Sequence, residues 1–557
     1  MEAMRLEVGE RQRDIGDKSL KCSLKSDKME EVVGKIADAL TMADHIQFSL
    51  ISKELPEWRR RQQVACIGGP NNTCLDQLQS WFTSVAESLK QVQQQLRKLQ
   101  ELVKTFTHDN NPVAIDIGAL EERAVMQLNN LLASALVVER QPCNPTQPQR
   151  PLVIMQIVQF TVKLRFLLKL PELDGLLKVK VSLDEDAVQY NTIQGFRKFN
   201  IVGSNTRVMN MEESNGNLTA EFRHLHLREM KCSRSRSNEF SLCLFEELHT
   251  VCFETQLEQS GQSPIILTTT SLPIVVATPI GGISNCFASV LWYNMLCSEP
   301  KNVAFFLDPP TATWSQLSEV LSWQFSSQTS YMKTRFVRVP VMQAERPRMA
   351  AMLEQPAGST SCRRGLDSEQ LSMLGEKLLG QSDPEGVVTW TAFCKTHVSG
   401  RSFSFWTWLD SILVLIKRHL LSLWNDGCIM GFVSKERGEQ LLREKSSGTF
   451  LLRFSESQCG GIAFTWVEQA ADGPKVRTVE PCYTGRQLSS VLFADILRDY
   501  KFMAEDNHLV EPLVFLYPNI PKDNAFGRYY NQDLSSISTD LLPVGFIAIT
   551  PKMLQEL

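Results

Sequence analysis

The run from Leu75 to Phe106 constrains this chain more than any other stretch. Its apolar residues fall at Leu75, Leu78, Phe82, Val85, Leu89, Val92, Leu96, Leu99, Val103 and Phe106, a strict alternation of three and four. That spacing is a heptad seam, and the run QVQQQLRKLQ supplies its wet face. At 1.5 Å per residue the predicted helix is about 50 Å long. Val33, Ile36, Leu40 and Ala43 open an earlier helix, and Leu120, Leu128, Leu131 and Ala135 mark a later one, so residues 29–140 read as a long antiparallel helical bundle. The polar face mixes both charge signs, which argues against a helix lying on a membrane surface.

A chain of 557 residues holds three or four domains at roughly 150 residues each. Its 43% hydrophobic and 22% charged fractions exclude a wholly disordered or collagenous chain. No stretch approaches about 18 uninterrupted apolar residues, and the start MEAMRLEVGERQRDIG is too charged for a signal peptide, so a soluble intracellular protein is expected. The 14 cysteines form no CxxC pair and no Cys/His spacing suited to zinc. Most are predicted to be reduced core residues, with no metal and no cofactor. A net charge of −4 neither demands nor excludes nucleic acid as a partner.

At Pro142 to Pro151 the run QPCNPTQPQRP breaks the helical pattern and the period changes to two. Val158, Phe160, Val162, Leu164 and Phe166 alternate with polar residues, and Leu177, Val179, Val181 and Leu183 are predicted to form the partner strand. Further runs, Leu248 to Thr255 and Ile265 to Val276, extend an all-β barrel or sandwich of roughly 150 residues. Between 150 and 308 the 15 basic and 16 acidic residues give no net attraction to phosphate. Between 197 and 236, however, Arg197, Lys198, Arg207, Arg223, Arg228, Lys231, Arg234 and Arg236 face four glutamates, an excess of +4. Such a patch fits a nucleic-acid backbone, an import receptor or a solvated loop. From 311 to 424 helical signals return around Trp314 to Trp323 and Phe405 to Ile416, whose aromatics read as core. Residues 328–365 between them have seven Lys/Arg, three prolines and no period, and read as a basic insertion.

The most specific chemistry lies in GFVSKERGEQLLREKSSGTFLLRFSES, which begins at Gly431. KERGEQLLREK is an amphipathic helix and GTFLLRFSES a strand, which places Arg453 and Ser455 on one face and Phe450, Leu452 and Phe454 on the other. A guanidinium rising from a strand, with hydroxyls from Ser455 and Ser457 and an ammonium from Lys435, makes a dianion site. The planar fork of arginine grips two phosphate oxygens at once.

This string resembles the phosphotyrosine pocket of Src-homology-2 domains. With RPLVI, VQFTVKLR, GFRKFNIVG, VMNMEES, EFRHL, EELH, VLWYNML, VLSWQFSS and LWNDGCIMGFVSKE, the chain resembles the signal transducer and activator of transcription (STAT) family over residues 29–550, nearest in pattern to its interferon-responsive first member. The resemblance implies a multidomain fold. An amino-terminal stub (1–28) precedes an α-helical coiled coil (29–140), then an immunoglobulin-like DNA-binding β-barrel (141–310) and an α-helical linker (311–424) with the insertion at 328–365. An α+β Src-homology-2 domain (425–530) and a tail (531–557) complete it. It implies phosphotyrosine binding by Lys435, Arg453, Ser455, Glu456 and Ser457, and DNA binding by Glu247 with Arg197, Lys198 and Arg207 of the basic patch. Arg228 and Lys231 match positions used in nuclear import. The implied partners are palindromic DNA, phosphorylated cytokine receptors and STAT proteins, met in cytoplasm and nucleus.

Several positions depart from the family pattern. The amino-terminal oligomerisation domain is absent, Leu541 stands where the activating tyrosine is expected, and Met155 and Pro279 replace a lysine and an asparagine that contact DNA. The insertion has no expected counterpart and reads like a translated intron. Two roles therefore compete: a working transcription factor, activated through another tyrosine such as Tyr529 or Tyr530, and a receiver that accepts a phosphotyrosine segment but offers none, acting as heterodimer partner or inhibitor. An enzyme fits poorly, since the chain has no GxxxxGK[ST], HExxH, GxSxG or kinase catalytic loop.

Overall fold

The computed structural model describes residues 28–106, 112–169, 176–185, 196–230, 242–259, 262–278, 282–299, 302–329, 364–380, 386–398, 400–470, 473–503 and 509–531. They belong to two compact units, one of residues 1–66 with 70–307 and one of 67–69 with 308–557.

In the first unit, helix α1 (28–66) is followed by α2 (Asp76–Phe106) and α3 (Pro112–Ser134). The seam behaves as its spacing predicts. Leu75, Leu78, Phe82, Val85, Leu89, Leu96 and Val103 are buried, while Val92 and Leu99 are half-buried. Polar ties fix the register of α3 on the helices before it: Gln127 Nε2 donates to the Leu40 carbonyl at 3.0 Å, and Arg123 pairs with Asp44 at 2.6 Å.

The barrel starts earlier than the prolines suggest. Helix α3 ends at Ser134 and strand β1 (Leu136–Cys143) continues past Pro142, with a register shift between Arg140 and Cys143. The strands after it are β2 (Val153–Met155), β3 (Phe160–Phe166), β4 (Lys178–Leu183), β5 (Phe199–Val202), β6 (Thr206–Val208), β7 (Asn210–Met211), β8 (Leu218–Glu229), β9 (Leu248–His249), β10 (Val251–Gln259), β11 (Gln262–Thr270) and β12 (Ile274–Ala277). They form sheets ordered β1-β3-β8-β5, with β7 on β8, then β11-β10-β4-β6, and β2-β12-β9. The expected pairing of β3 with β4 is corrected, because β3 lies between β1 and β8 while β4 lies between β10 and β6. Alternation identifies a half-buried strand but not its neighbour. Helix α4 (Ile283–Leu296) is buried on nearly every side, so it has no polar stripe from which a sequence pattern would reveal it.

In the second unit, α5 (Trp314–Gln328) opens with a capping box from Thr313 and Gln316, and α6 (Ser368–Leu379) with one from Asp367 and Gln370. Residue 328 thus belongs to a helix rather than to an insertion. Arg364, at its other end, donates to the carbonyls of Trp424 and Ile429 and lies over the Trp424 ring. Most of the insertion, 330–363, lies outside the described residues. Helix α7 (Phe405–Leu415) buries Phe405, Trp406 and Trp408 as expected, whereas Trp314 and Trp323 of α5 are only half-buried; Trp424, Phe432 and Phe325 complete the aromatic core.

After α8 (Lys435–Leu442) comes a sheet of β13 (Thr449–Phe454), β14 (Gly461–Ala470), β15 (Gly473–Thr478), β16 (Phe515–Leu516) and β17 (Ile520–Pro521), ordered β15-β14-β13-β16-β17. The predicted alternation of β13 holds, yet all six of its residues are buried. The face bearing Arg453 is covered as well, because α8 lies on it: a Cβ on Gly438 would stand 3.7 Å from Leu451 and 3.9 Å from Arg453. Gly431 locks the chain entering α8 onto this strand. Its N–H donates to the Leu452 carbonyl at 3.0 Å, and its carbonyl accepts from Phe454 N–H at 2.8 Å.

Two outcomes follow from this packing. Gly431 has φ +82°, and a Cβ there would meet the rings of Phe454 and Trp424 at 2.9 Å. Gly431→Ala is expected to lower the stability of the second unit by about 1–3 kcal/mol in denaturant melts followed by tryptophan fluorescence. In the first unit, His249 is wholly buried; burial pulls its pKa down, but the Asp184 and Glu247 carboxylates outweigh that and hold it above the ordinary 6.5. A folded-state value above the unfolded one contributes stability that is complete below 6.5 and is lost as pH rises through the folded value. The unit's denaturation midpoint is expected to fall across that rise, and His249→Gln to flatten the fall. A wild-type midpoint that stays constant across the same pH series would contradict the charged pair.

Candidate functional site

Arg453 is delivered to its place by two neighbours on β13's edges, since it sits opposite Ala463 of β14 and forms an isolated bridge with Gly431 on the other side. It is 7% exposed, and its Nε is buried without a partner. Among the described residues it makes no hydrogen bond and no ion pair. Burial draws its pKa down, resisted by the more distant charges of Glu456, Glu436 and Glu439. A buried cation with no counter-charge in contact is costly, and an arriving dianion would relieve that cost.

The other candidates lie on the loop that follows β13 and on the first turn of α8. The Ser455 and Ser457 hydroxyls lie 3.2 Å apart, and Gln458 N–H donates to Ser455 Oγ at 3.2 Å, which closes the loop after β13. Lys435 stands in the first turn of α8, half-exposed, with its Nζ 4.0 Å from the Glu480 carboxylate. Glu456 is corrected. Its Oε2 accepts from Lys435 N–H at 3.2 Å and its Oε1 pairs with Lys377 Nζ at 3.3 Å. A carboxylate repels phosphate, so Glu456 is an anchor that ties the loop to α8 and α6 and not a phosphate ligand.

Sequence reasoning missed two supports of this loop. Lys377 of α6 holds Glu456 and lies 4.8 Å from the centre of the Trp408 ring, whose indole N–H donates to the Ser455 carbonyl at 2.8 Å. The D-x-x-Q capping box at Asp367 was the available sign of α6, but its contact with the pocket exists only in three dimensions.

The barrel candidates separate. Arg197 and Glu247 are buried at 3% exposure each and form an ion pair, and Arg197 also donates to the carbonyls of Leu244 and Val276. Their expected role as two DNA contacts is corrected, since each satisfies the other in the interior. Lys198 and Arg228 are exposed near one another, because Phe199 pairs with Glu229 and Asn200 with Arg228. Arg207 is exposed on β6, in a different sheet. It lies opposite Val179, which puts it on the face away from Lys178 and Lys180. Met155 ends β2, half-buried. Lys231, Pro279 and Leu541 lie outside the described residues.

Tyr529 and Tyr530 do not resemble tyrosines offered on an extended segment. Tyr529 donates to Asp426, and Tyr530 to Asp523 at 2.8 Å. Burial, with those carboxylates, raises both phenols, and a phosphate on either would be set against a negative neighbour.

Comparison with known proteins matches this architecture domain by domain. Residues 9–128 match the STAT transcription factor coiled-coil domain, 140–277 the STAT protein DNA binding domain, 332–409 the signal transducer and activator of transcription linker domain, and 428–497 the SH2 domain. The linker match begins inside the segment read as an insertion. Signal transducer and activator of transcription 4 of Mus musculus is 46% identical over 515 residues and that of Homo sapiens 45%, each covering 92% of this chain. The chain spans 64% of the length of these relatives. Both are fourth members, so they lend no support to the expected nearness to the interferon-responsive first member. With four domain matches in one order, a barrel between helical segments and a sheet that buries a strand arginine beside two serines, the chain belongs to the STAT family of transcription factors.

Proposed function

We propose that this chain is a sequence-specific DNA-binding transcription activator of cytokine and interferon signalling that dimerises when Arg453 receives a phosphotyrosine. The buried, unpartnered Arg453 carries this reading. Lys435, Ser455 and Ser457 would add further donors, a set suited to three phosphate oxygens. Two reciprocal insertions would make a bivalent lock, in which loss of one contact removes far more than half of the affinity. The barrel would hold palindromic promoter DNA with Lys198 and Arg207, and Arg228 with Lys231 would meet an import receptor, which gives work in both cytoplasm and nucleus. The domain limits implied by the resemblance are kept, with the barrel begun at Leu136 and Gln328 assigned to α5.

A second reading has its own support. Leu541 stands at the position of the activating tyrosine, and Tyr529 and Tyr530 are held against carboxylates. The chain would then receive a phosphotyrosine segment from a receptor or another STAT without returning one, as heterodimer partner or inhibitor.

Arg453→Met tests the pocket. Each charge-assisted hydrogen bond lost should cost about 1.5–3 kcal/mol of affinity for a phosphotyrosyl STAT tail peptide in fluorescence polarisation. Because the guanidinium is buried unpaired, the same variant is expected to melt no lower than the wild type. Equal binding of phosphorylated and unphosphorylated peptide by the wild type would reject the reading. Leu541→Tyr separates the two roles. After treatment with a tyrosine kinase, a receiver should gain self-association in analytical ultracentrifugation only in this variant, whereas a self-activating chain should dimerise as wild type.

A further inference from the structure

Among the described cysteines, Cys66, Cys252, Cys286, Cys297, Cys394 and Cys428 are buried. Burial raises the thiols of Cys66 and Cys286 to about 12, which keeps them protonated and inert. Cys482 differs in position. It is partly exposed and precedes the short strand Tyr483–Thr484, which pairs with Gly461 and Ile462 at the start of β14. Its Sγ lies 3.5 Å from Gln458 Oε1 and 2.6 Å from the point where a Cβ on Gly461 would stand, with Ser455 Cβ 3.1 Å from that same point. The thiol therefore rests against the loop that holds the two serine hydroxyls.

A second observation points to a ligand here: the guanidinium of Arg453, two residues before Ser455, is 7% exposed with no partner among the described residues. We propose that Cys482 is a redox modification site that closes the phosphotyrosine pocket by taking up a small disulfide bearing carboxylates, whose negative groups occupy the place of the phosphate beside Arg453 and Lys435. The inference rests on the phosphotyrosine reading of that pocket. The Cys482 thiolate attacks one sulfur of the reagent. The reagent's S–S bond breaks as a new one forms to Cys482, and the other half leaves as a thiolate that takes up the proton Cys482 gave up. Cys482 is oxidised and the leaving half is reduced, so no further oxidant is needed. The inner side of the sulfur is closed by the Gly461 backbone, so the added group has to extend outward over the serine loop.

The test uses the full chain, glutathione disulfide, and a fluorescein-labelled phosphotyrosyl STAT tail peptide with its unphosphorylated twin. Treatment is expected to weaken phosphopeptide binding by at least about tenfold and dithiothreitol to restore it. Cys482→Ser should bind as well after treatment as before, while Cys74→Ser, which removes an exposed thiol, should respond like wild type. Peptide mapping by mass spectrometry should find the mixed disulfide on Cys482, and phosphopeptide bound beforehand should prevent it. A Cys482 adduct with unchanged phosphopeptide affinity overturns the inference, as does a Cys482 that stays unmodified while Cys74 reacts. If untreated protein binds both peptides alike, the phosphotyrosine reading fails first and this inference falls with it.

Discussion

In the second unit a guanidinium stands nearly out of water, with no carboxylate in contact among the described residues. Such a charge persists only when the surrounding packing holds it there, and much of that unit can be understood as the holding structure. Strand β13 lies in the middle of the sheet and is buried on both faces, so Arg453 has no freedom to swing toward solvent. Gly431 brings the preceding loop against the strand at a backbone angle suited to glycine, and α8 lies over it with Gly438 facing Leu451 and Arg453. What the packing leaves open is the end of the strand, where Ser455, Ser457 and the first turn of α8 converge.

The carboxylate of Glu456 sits near this cation without neutralising it. Its two oxygens are taken by Lys377 and by the Lys435 N–H, which turns the negative charge toward the loop's anchors. The barrel uses the opposite arrangement. There Arg197 and Glu247 meet directly, with Arg197 donating to two further carbonyls, so the charge is spent on holding a buried corner together. Two arginines of similar burial thus have different meanings, and the presence or absence of a carboxylate in contact decides between them.

Much of the fold was legible because it rests on periodicity. The seam from Leu75 to Val103 is buried at all its positions but the half-buried Val92 and Leu99, and β3 and β4 are strands where alternation requires. The helix α4 was illegible for the same reason, since a helix buried on all sides has no period to detect. The candidate site was legible in its local pattern, since Arg453, Ser455 and Ser457 lie within five residues of one another and Lys435 opens the helix whose first turn meets their loop. It was illegible in its supports, because Lys377 and Trp408 reach the loop from segments 79 and 47 residues away.

Taken alone, the sequence determined the succession of helical bundle, barrel, helices and a sheet centred on the strand of Arg453, since each of these is written in residues close together along the chain. Only the tertiary structure decided which strands are neighbours, that Arg197 spends its charge on Glu247, and that Arg453 keeps its own free. Whether a charge is matched depends on which distant side chain packs within about 4 Å of it, and separation along the chain carries no information about that distance.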